Sequence, residues 1–288
     1  MKLKFSLDIS GESAWFVKTP SPVSKRMPFY INEYGHYIAN SDYFTERQGQ
    51  EDFLLIYTLS GSGLLKYSGQ EYLLEKDQAV VMYCENYHLY KTVSAEPWRF
   101  MWVHFSGTSA LEHYSLLNED GLNIIAVDDP GKMEKMMLEL HEQVEIDDIP
   151  SNIRISAQLT GIISYLIISK FSPGNNKKYR EHRAEIEKVI SYIHVNYSRK
   201  ISLDELTRIA YLSKFYFLRV FKSHTGVGPY EYLLNYRINK AKESLKNTGL
   251  SVREISEAVG FENCSNFIRE FKKIVGRTPL NYRKYANR

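Results

Sequence analysis

Two segments near the C-terminal end carry cationic side chains at a spacing that suits contacts with a DNA duplex. Each segment has two phenylalanines four positions apart, an arginine between them and a lysine directly after the second. These residues are Phe217, Arg219, Phe221 and Lys222 in the first segment, and Phe267, Arg269, Phe271 and Lys272 in the second. Residues four apart share one face of a helix, so the phenylalanines predict a buried stripe and the cations a separate polar face. Arginine can pair bidentately with guanine, so the pattern is typical of a recognition helix.

The two segments belong to a longer internal repeat. A glycine, a proline and a tyrosine follow at identical spacing in both copies, at an offset of 50 residues. They are Gly226, Pro229 and Tyr232 in the first copy, and Gly276, Pro279 and Tyr282 in the second. Each copy predicts two helices joined by a tight turn, which places helix-turn-helix units at about 203–223 and 252–274.

The starts of these helices carry capping signals. A serine followed three positions later by a glutamate predicts a capping box at the first helix of each copy, with Ser202 and Glu205, then Ser251 and Glu254. Ser213 and Asn263 are the predicted N-caps of the second helices. Gly260 supplies the turn in the second copy, whereas Tyr211 and Leu212 occupy it in the first.

Charge is divided unequally along the chain, whose formal net charge is +3. From residue 183 to the end there are 20 Lys and Arg against 10 Asp and Glu, and the preceding part has 17 against 24. A basic C-terminal part beside an acidic N-terminal part is expected when one domain meets phosphates and the other does not. Charge alone leaves a merely solvated surface as the alternative.

With these motifs, the stretch 183–288 resembles the DNA-binding domain of the AraC/XylS family of bacterial transcription regulators. The resemblance rests on Phe-x-Arg-x-Phe-Lys-x-x-x-Gly-x-x-Pro, which occurs twice, and on Arg237-Ile238-x-x-Ala241 between the copies. It implies seven helices, a long one of them joining the two units. It also implies that the recognition helices enter adjacent major-groove segments of double-stranded DNA, about 34 Å apart.

The resemblance implies which side chains meet DNA. The base-reading candidates are Lys214, Phe215, Leu218 and Arg219 in the first recognition helix, and Cys264, Ser265, Asn266 and Arg269 in the second. Phe215 and Leu218 cannot donate hydrogen bonds from their side chains, so the first helix is expected to read thymine methyl groups and DNA shape. The phosphate candidates are Lys222, Lys272, Lys273 and Arg283.

Residues 52–105 predict a series of short strands. Apolar runs of four to eight residues are separated by turn signals such as Ser60-Gly61-Ser62-Gly63 and Ser68-Gly69-Gln70, about ten residues apart. This spacing indicates an antiparallel sandwich or barrel. After Gly107 the apolar spacing becomes helical, with a short helix around 111–117 and two amphipathic helices within 132–171.

The strand series resembles the cupin-like ligand-binding domain that many members of this family carry. The resemblance implies a barrel that holds a small effector, commonly a sugar, and a homodimer contact through 132–171. The candidate ligand residues are Ser60, Tyr90, Phe100 and Trp102. Aromatic side chains offer a flat apolar face to a sugar ring, but Phe100 and Trp102 could equally be core aromatics. By analogy, residues 1–30 are a candidate for a mobile arm over the barrel.

Enzymatic cupins hold a metal with His-x-His and a later Glu and His. Residues 61–75 contain no histidine, and His88 lacks ligand partners at suitable spacing, so we expect no metal and a structural role for His88. No nucleophile–base pair, phosphate-binding glycine loop or paired carboxylates stand out. We therefore expect no cofactor and no enzyme activity.

Together these patterns predict an α+β protein of two domains. Residues 1–172 form a cupin-like sensing and dimerisation domain, 173–182 a linker containing Pro173-Gly174, and 183–288 an all-α DNA-binding domain. The two cysteines, Cys84 and Cys264, are far apart and predict no disulfide framework. No apolar run is long enough for a membrane helix, and no secretion signal is evident, so we expect a cytoplasmic protein.

The leading hypothesis is a sequence-specific, ligand-responsive activator of a carbohydrate-utilisation operon. Promoter DNA, a small effector and a second copy of the chain are the expected partners, with RNA polymerase as a further candidate. One alternative is a regulator that answers to a non-sugar effector or a protein partner. Another is a cupin enzyme fused to a DNA-binding module.

Overall fold

The computed structural model describes residues 2–119, 121–144, 148–172 and 177–286. The chain divides into two compact units, Met1–Asn176 and Lys177–Arg288. The predicted linker is corrected in part: residues 173–176 lie outside the described residues, but 177–182 belong to a helix that starts at Lys177. The composition of this stretch had suggested an irregular segment, whereas only its beginning carries the helix-breaking Pro-Gly pair.

The first unit is built on two antiparallel sheets. Its described strands are β1 Lys2–Ser6, β2 Ala14–Val17, β3 Tyr30–Ala39, β4 Phe44–Gln48, β5 Phe53–Ser60, β6 Gly63–Tyr67, β7 Gln70–Leu74, β8 Gln78–Tyr83, β9 His88–Thr92, β10 Trp98–Ser106 and β11 Ile124–Ala126. One sheet has the order β1-β4-β9-β6-β7 and the other β11-β8-β5-β10-β3-β2. The antiparallel barrel or sandwich predicted from the turn spacing is confirmed.

The strands before residue 52 escaped the sequence pattern. The longest of them, β3, pairs with β10 on one side and β2 on the other, and both of its faces are largely covered. A strand buried on both faces does not alternate between apolar and polar residues, so a search for such alternation does not find it. The candidate arm, residues 1–30, includes β1 and β2, which are paired with β4 and β3.

Three helices cover the outer face of the six-stranded sheet: α1 Ala110–Leu117, α2 Pro130–Val144 and α3 Ile149–Lys170. Alternate side chains of β10 pack in two different cores, because successive side chains of a strand point to opposite faces. Phe100 and Trp102 pack in the core between the sheets, whereas Met101 and Val103 pack against the helices. The inner face of β10 therefore forms part of the wall of the barrel.

The second unit contains seven helices among its described residues, as the family resemblance implied. They are α4 Lys177–Asn196, α5 Leu203–Ala210, α6 Lys214–Thr225, α7 Pro229–Asn247, α8 Val252–Ala258, α9 Cys264–Val275 and α10 Pro279–Ala286. The paired phenylalanines of α6 and α9 are fully buried, each pair in its own core. Helix α7 contributes to both cores and joins the two helix-turn-helix units.

The predicted caps form only in part. Ser251 and Glu254 complete a capping box at α8, and Asn263 accepts hydrogen bonds from two backbone N–H groups at α9. Ser202 accepts a bond from the Glu205 backbone, but the Glu205 carboxylate turns to Arg199 instead of closing the box. Ser213 occupies the predicted N-cap position of α6, but its side chain makes no capping hydrogen bond.

Candidate nucleic-acid interface and effector pocket

Helix α6 presents a mixed apolar and cationic surface at its N-terminal end. Lys214 and Arg219 are exposed, and the Phe215 side chain is 87% exposed beside them. Arg219 lies over the ring of Tyr216, 5.0 Å from its centroid, which holds the guanidinium against the helix surface. Leu218 is half-buried. A free aromatic side chain next to two cations suits contact with thymine methyl groups between phosphates.

Helix α9 presents a polar surface at the equivalent position. Ser265 and Arg269 are exposed, whereas Cys264 and Asn266 are half-buried. A guanidinium N–H of Arg269 donates to Oδ1 of Asn266 at 2.6 Å, and another donates to Glu270 at 3.4 Å. Because a guanidinium has five N–H donors, Arg269 keeps donors for a base edge while Asn266 orients it.

The four phosphate candidates do not share one environment. Lys222, Lys272 and Lys273 are exposed near the C-terminal ends of the recognition helices. Arg283 instead donates to the backbone carbonyls of Leu245 and Leu250. It therefore joins α10 to the end of α7 and the following loop, and a phosphate contact of Arg283 stays a prediction.

Arg237 has the same kind of role for the first helix-turn-helix unit, and the sequence analysis assigned it no function. Its guanidinium donates to the carbonyls of Tyr197 and Arg199, at 2.7 and 2.8 Å. These bonds join α7 to the loop that follows α4. In each helix-turn-helix unit, an arginine on a later helix therefore donates to carbonyl groups in the last turn of an earlier helix or just beyond its end.

A pocket of about 90 Å³ lies in the barrel of the first unit. Strand alternation selects its lining, because every second residue of a strand faces inward. The lining residues are Leu3, Phe5, Leu7, Trp15, Tyr37, Tyr43, Thr45, Arg47, Tyr90, Trp102 and His104. The N-terminal strand β1 thus forms one wall of the pocket, paired with β4.

Two of the four predicted ligand residues line this pocket. Tyr90 and Trp102 do so, but Ser60 and Phe100 do not. Phe100 stacks on Trp98 with ring centroids 4.0 Å apart and is 1% exposed, so it is a core aromatic. Ser60 is the last residue of β5 and lies outside the lining. Gly35 is required next to Trp102, because a Cβ at this position would lie 2.5 Å from the indole ring.

The sequence analysis missed the charged residue of the pocket, Arg47. One Nη of Arg47 donates to Gln50 at 3.1 Å and lies 3.2 Å from Nε2 of His104. Because a guanidinium can only donate, Nε2 accepts, and Nδ1 of His104 carries the proton that it donates to Asp52, 3.1 Å away. A lone arginine on an unpredicted strand gave no motif, since its partner His104 is 57 positions away.

The buried carboxylate of Asp52 completes this network. Burial alone would raise the pKa of Asp52, but hydrogen bonds from His104, Gln50 and Asn32 together lower it below its usual value. The ionised carboxylate accepts from all three side chains. The chain of bonds from Asp52 through His104 to Arg47 therefore fixes the guanidinium at the edge of the pocket.

Comparison with known proteins accounts for both units. A family model described as an AraC-like ligand binding domain matches residues 30–163, and one described as a helix-turn-helix domain matches residues 206–285. The chain belongs to the AraC family of transcription regulators. The barrel with its pocket is the ligand domain of this regulator, and α5 to α10 carry its DNA-binding domain.

Individual relatives of this AraC-family chain are operon regulators. It is 24% identical over 271 residues to the MmsAB operon regulatory protein of Pseudomonas aeruginosa, which covers 91% of this chain and 84% of that protein. It is 23% identical over 270 residues to the Msm operon regulatory protein of Streptococcus mutans, covering 88% and 92%. The lactose operon transcription activator of Staphylococcus xylosus is 23% identical over 239 residues, covering 82% and 85%. These relatives are transcription regulators rather than enzymes.

One buried cluster of this AraC-family domain has the side chains that could hold a metal. Ligand atoms of Asp52, Cys84 and His104 lie within 4.8 Å of one another. However, both nitrogens of His104 and the carboxylate of Asp52 are already engaged in the network that holds Arg47. The polar atoms of Asp52 and His104 are thus satisfied by protein groups, and the cluster's geometry is explained by the orientation of Arg47.

His88 lies deep in the same domain. It is fully buried, its Nδ1 lies 2.9 Å from the backbone carbonyl of Asn86, and burial lowers its pKa to about 4. A neutral imidazole that donates to a carbonyl agrees with the structural role predicted from the sequence. Within the described residues, no helix combines the length and the apolar character that crossing a membrane requires.

Proposed function

We propose that this regulator recognises a specific promoter sequence through α6 and α9, and activates a carbohydrate-utilisation operon in response to a small molecule in the barrel pocket. The observation that carries the proposal is the shared design of the two helices. Each buries its phenylalanine pair and leaves an arginine, Arg219 or Arg269, exposed on another face. Such a helix is anchored by one face and free to enter a major groove with the other.

The type of operon is inferred from relatives. The Staphylococcus xylosus relative is named as a lactose operon transcription activator, and it is similar to this chain across both units. A promoter-binding role also implies action in the bacterial cytoplasm. For activation, RNA polymerase is the further partner that we propose.

Dimerisation through α2 and α3 is part of the proposal. Helix α3 leaves Ile149, Ile153 and Ile168 more than half exposed, at 58%, 52% and 66%. Apolar side chains of this size are often covered at subunit contacts. A dimer would bring four recognition helices to one operator, and analytical ultracentrifugation of the full-length protein tests this state.

Selection from a pool of random duplexes, followed by footprinting at a stated salt concentration, tests promoter recognition. We expect an enriched sequence with two contacted segments about 34 Å apart. Failure to enrich any sequence over random DNA would contradict the proposal.

A matched pair of variants separates base reading from phosphate binding. Arg269→Ala is expected to weaken binding to the selected sequence by ~1–3 kcal/mol and to relax base preference at one position. Lys273→Ala is expected to weaken binding to all sequences alike and to lower the salt dependence by about one counterion. An equal loss on all sequences for Arg269→Ala would reassign that arginine to a phosphate.

A further inference from the structure

We propose that the effector held in the barrel pocket is a small carboxylate with a short aliphatic part, rather than a neutral sugar. This inference rests on the proposed ligand response of the regulator. It assigns the carboxylate to the Arg47 guanidinium and the Trp102 indole N–H, and the aliphatic part to the apolar side chains of β1.

Two buried donors of the pocket lack an acceptor. Among the described residues, neither Nε of Arg47 nor Nε1 of Trp102 has a hydrogen-bond partner. Both side chains line the pocket, and Trp102 is 5% exposed. A buried donor without an acceptor costs about 1–3 kcal/mol, so these two N–H groups favour a ligand that brings acceptors.

The hydrogen bonds of Arg47 leave part of its guanidinium for a carboxylate. Its bonds to Gln50 and His104 use one Nη, which leaves Nε without an acceptor among the described residues. A carboxylate pairs with two guanidinium N–H groups at once, with oxygens that only accept. The nearby carboxylate of Asp52 already accepts from His104, Gln50 and Asn32, so it does not supply this need.

The described residues that line the pocket include no Asp, Glu, Asn or Gln. Sugar hydroxyls donate as well as accept, and the side-chain acceptors that this lining offers them are hydroxyl oxygens rather than carboxylates or amides. The lining hydroxyls of Tyr43 and Thr45 lie 3.3 Å apart and can bond to each other instead.

The lining of the pocket combines a cation, Arg47, with a group of apolar side chains. Leu3 and Phe5, alternate residues of β1 that share a face, line the pocket together with Leu7, which follows the strand, and with Trp15. A cation at one side and an apolar wall at the other match an amphiphilic acid.

Butyrate and its amide, butyramide, form a matched pair of probes for the full-length protein, because they have similar shapes and only butyrate is charged. We expect butyrate, or its homologues propionate and valerate, to raise the unfolding temperature and change the tryptophan fluorescence. Butyramide and lactose are expected to have no effect at the same concentrations. If no carboxylate acts, or if butyramide or lactose acts as well as the acids, the proposal is overturned.

Variants of the pocket locate the binding site. Arg47→Gln is expected to weaken carboxylate binding about 10- to 100-fold, as for the loss of a charge-assisted hydrogen bond, and Trp102→Phe to weaken it less. Arg47→Lys keeps the charge, so retained binding in this variant would show that a loss in Arg47→Gln comes from the missing charge and not from misfolding. Arg99→Gln, an exposed arginine of β10 outside the lining, is the control that is expected to bind like the wild type. Unchanged affinity in Arg47→Gln would overturn the assignment.

Failure of this inference can be told apart from failure of the proposed function. Selection of a DNA sequence by the wild-type protein reports promoter recognition without any effector. If lactose instead stabilises the protein and Arg47→Gln abolishes that effect, the pocket is an effector site but the carboxylate class is wrong. The regulator would then stand and this inference would fall.

Discussion

The two helix-turn-helix units have the same repeat origin but hold their recognition helices in different ways. In the second helix-turn-helix unit, Gly260 makes the turn with φ +88°, and Asn263 caps α9 with its own side chain. In the first, Tyr211 occupies the turn in the left-handed region with φ 53°, and Ser213 gives α6 no side-chain cap. The second helix-turn-helix unit thus has a glycine turn and a side-chain cap, both of which the first helix-turn-helix unit lacks.

The first helix-turn-helix unit instead uses contacts with α4 and with the loop that follows it. Glu205 leaves its capping box open and bonds to Arg199 and to Tyr192 of α4. The repeat therefore preserved the positions of the helices while the interactions that fix them diverged. We therefore expect substitutions at the turn and the cap to destabilise the second helix-turn-helix unit more than the first.

The largest expected loss of stability is at the turn of the second helix-turn-helix unit. A Cβ at Gly260 would lie 2.7 Å from the backbone oxygen of Ser198, in a left-handed conformation. Gly260→Ala is expected to lower the free energy of unfolding of the helical unit by about 3 kcal/mol, combining strain and overpacking. Urea denaturation of the full-length protein measures it.

Gly276→Ala is the matched control for that prediction. Gly276 has a similar φ of +77°, but a Cβ there would meet nothing within 4 Å. It should therefore cost only the conformational strain, about 1–2 kcal/mol. Equal losses in the two variants would show that the approach of Ser198 is unimportant.

The next effect concerns the caps of the recognition helices. Asn263→Ala removes an acceptor for two backbone N–H groups and is expected to destabilise α9 by about 1 kcal/mol. Ser213→Ala is expected to leave α6 nearly unchanged, because its side chain makes no capping bond. Hydrogen exchange of the amides of α6 and α9 compares the two directly. A larger loss for Ser213→Ala would reverse the contrast between the units.

A smaller change in stability, of opposite sign, is expected at the turn of the first helix-turn-helix unit. Tyr211 is 89% exposed, so its side chain contributes little packing, while its left-handed backbone is strained. Tyr211→Gly should relieve that strain and stabilise the helical unit by up to ~1 kcal/mol, less the entropy cost of glycine. Thermal unfolding checks the sign, and a clear decrease in stability would mean that Tyr211 makes contacts that this structure does not show.

The smallest effect is the pH dependence of the bond that replaces the first capping box. The hydrogen bond from Arg199, followed by that from Tyr192, lowers the pKa of Glu205 from its ordinary 4.5 to about 2. A lowered pKa adds stability above the unfolded value, and that stability is lost as the pH falls through the folded value. The difference in unfolding temperature between wild type and Glu205→Gln should therefore shrink between pH 4.5 and 2. A difference that is constant over this range would rule out the ion pair as its source.

Local patterns were sufficient for much of the fold and for the DNA-binding helices. Residues that act within one turn of a helix, such as the Phe267 and Phe271 pair and the Asn263 cap, are specified by spacing alone. The strands from β5 to β10 were equally readable, because polar turn residues separate them at regular intervals. The same local pattern placed Ser213 at the N-cap of α6 but did not show that its side chain makes no capping bond, nor that Arg283 bonds to the end of α7.

Only the tertiary structure decided which side chains meet in the barrel. Arg47 and His104 are 57 residues apart and come together because β4 and β10 face each other across the barrel. Likewise, Phe100 and Trp102 have the same residue class, and both pack in the core between the sheets, yet only Trp102 also lines the pocket. Periodicity records which face of a strand is buried, but the partner of a buried side chain depends on how the sheets pack. For this reason the sequence by itself determined a DNA-binding regulator, and the packing of its strands determined the chemistry of the pocket.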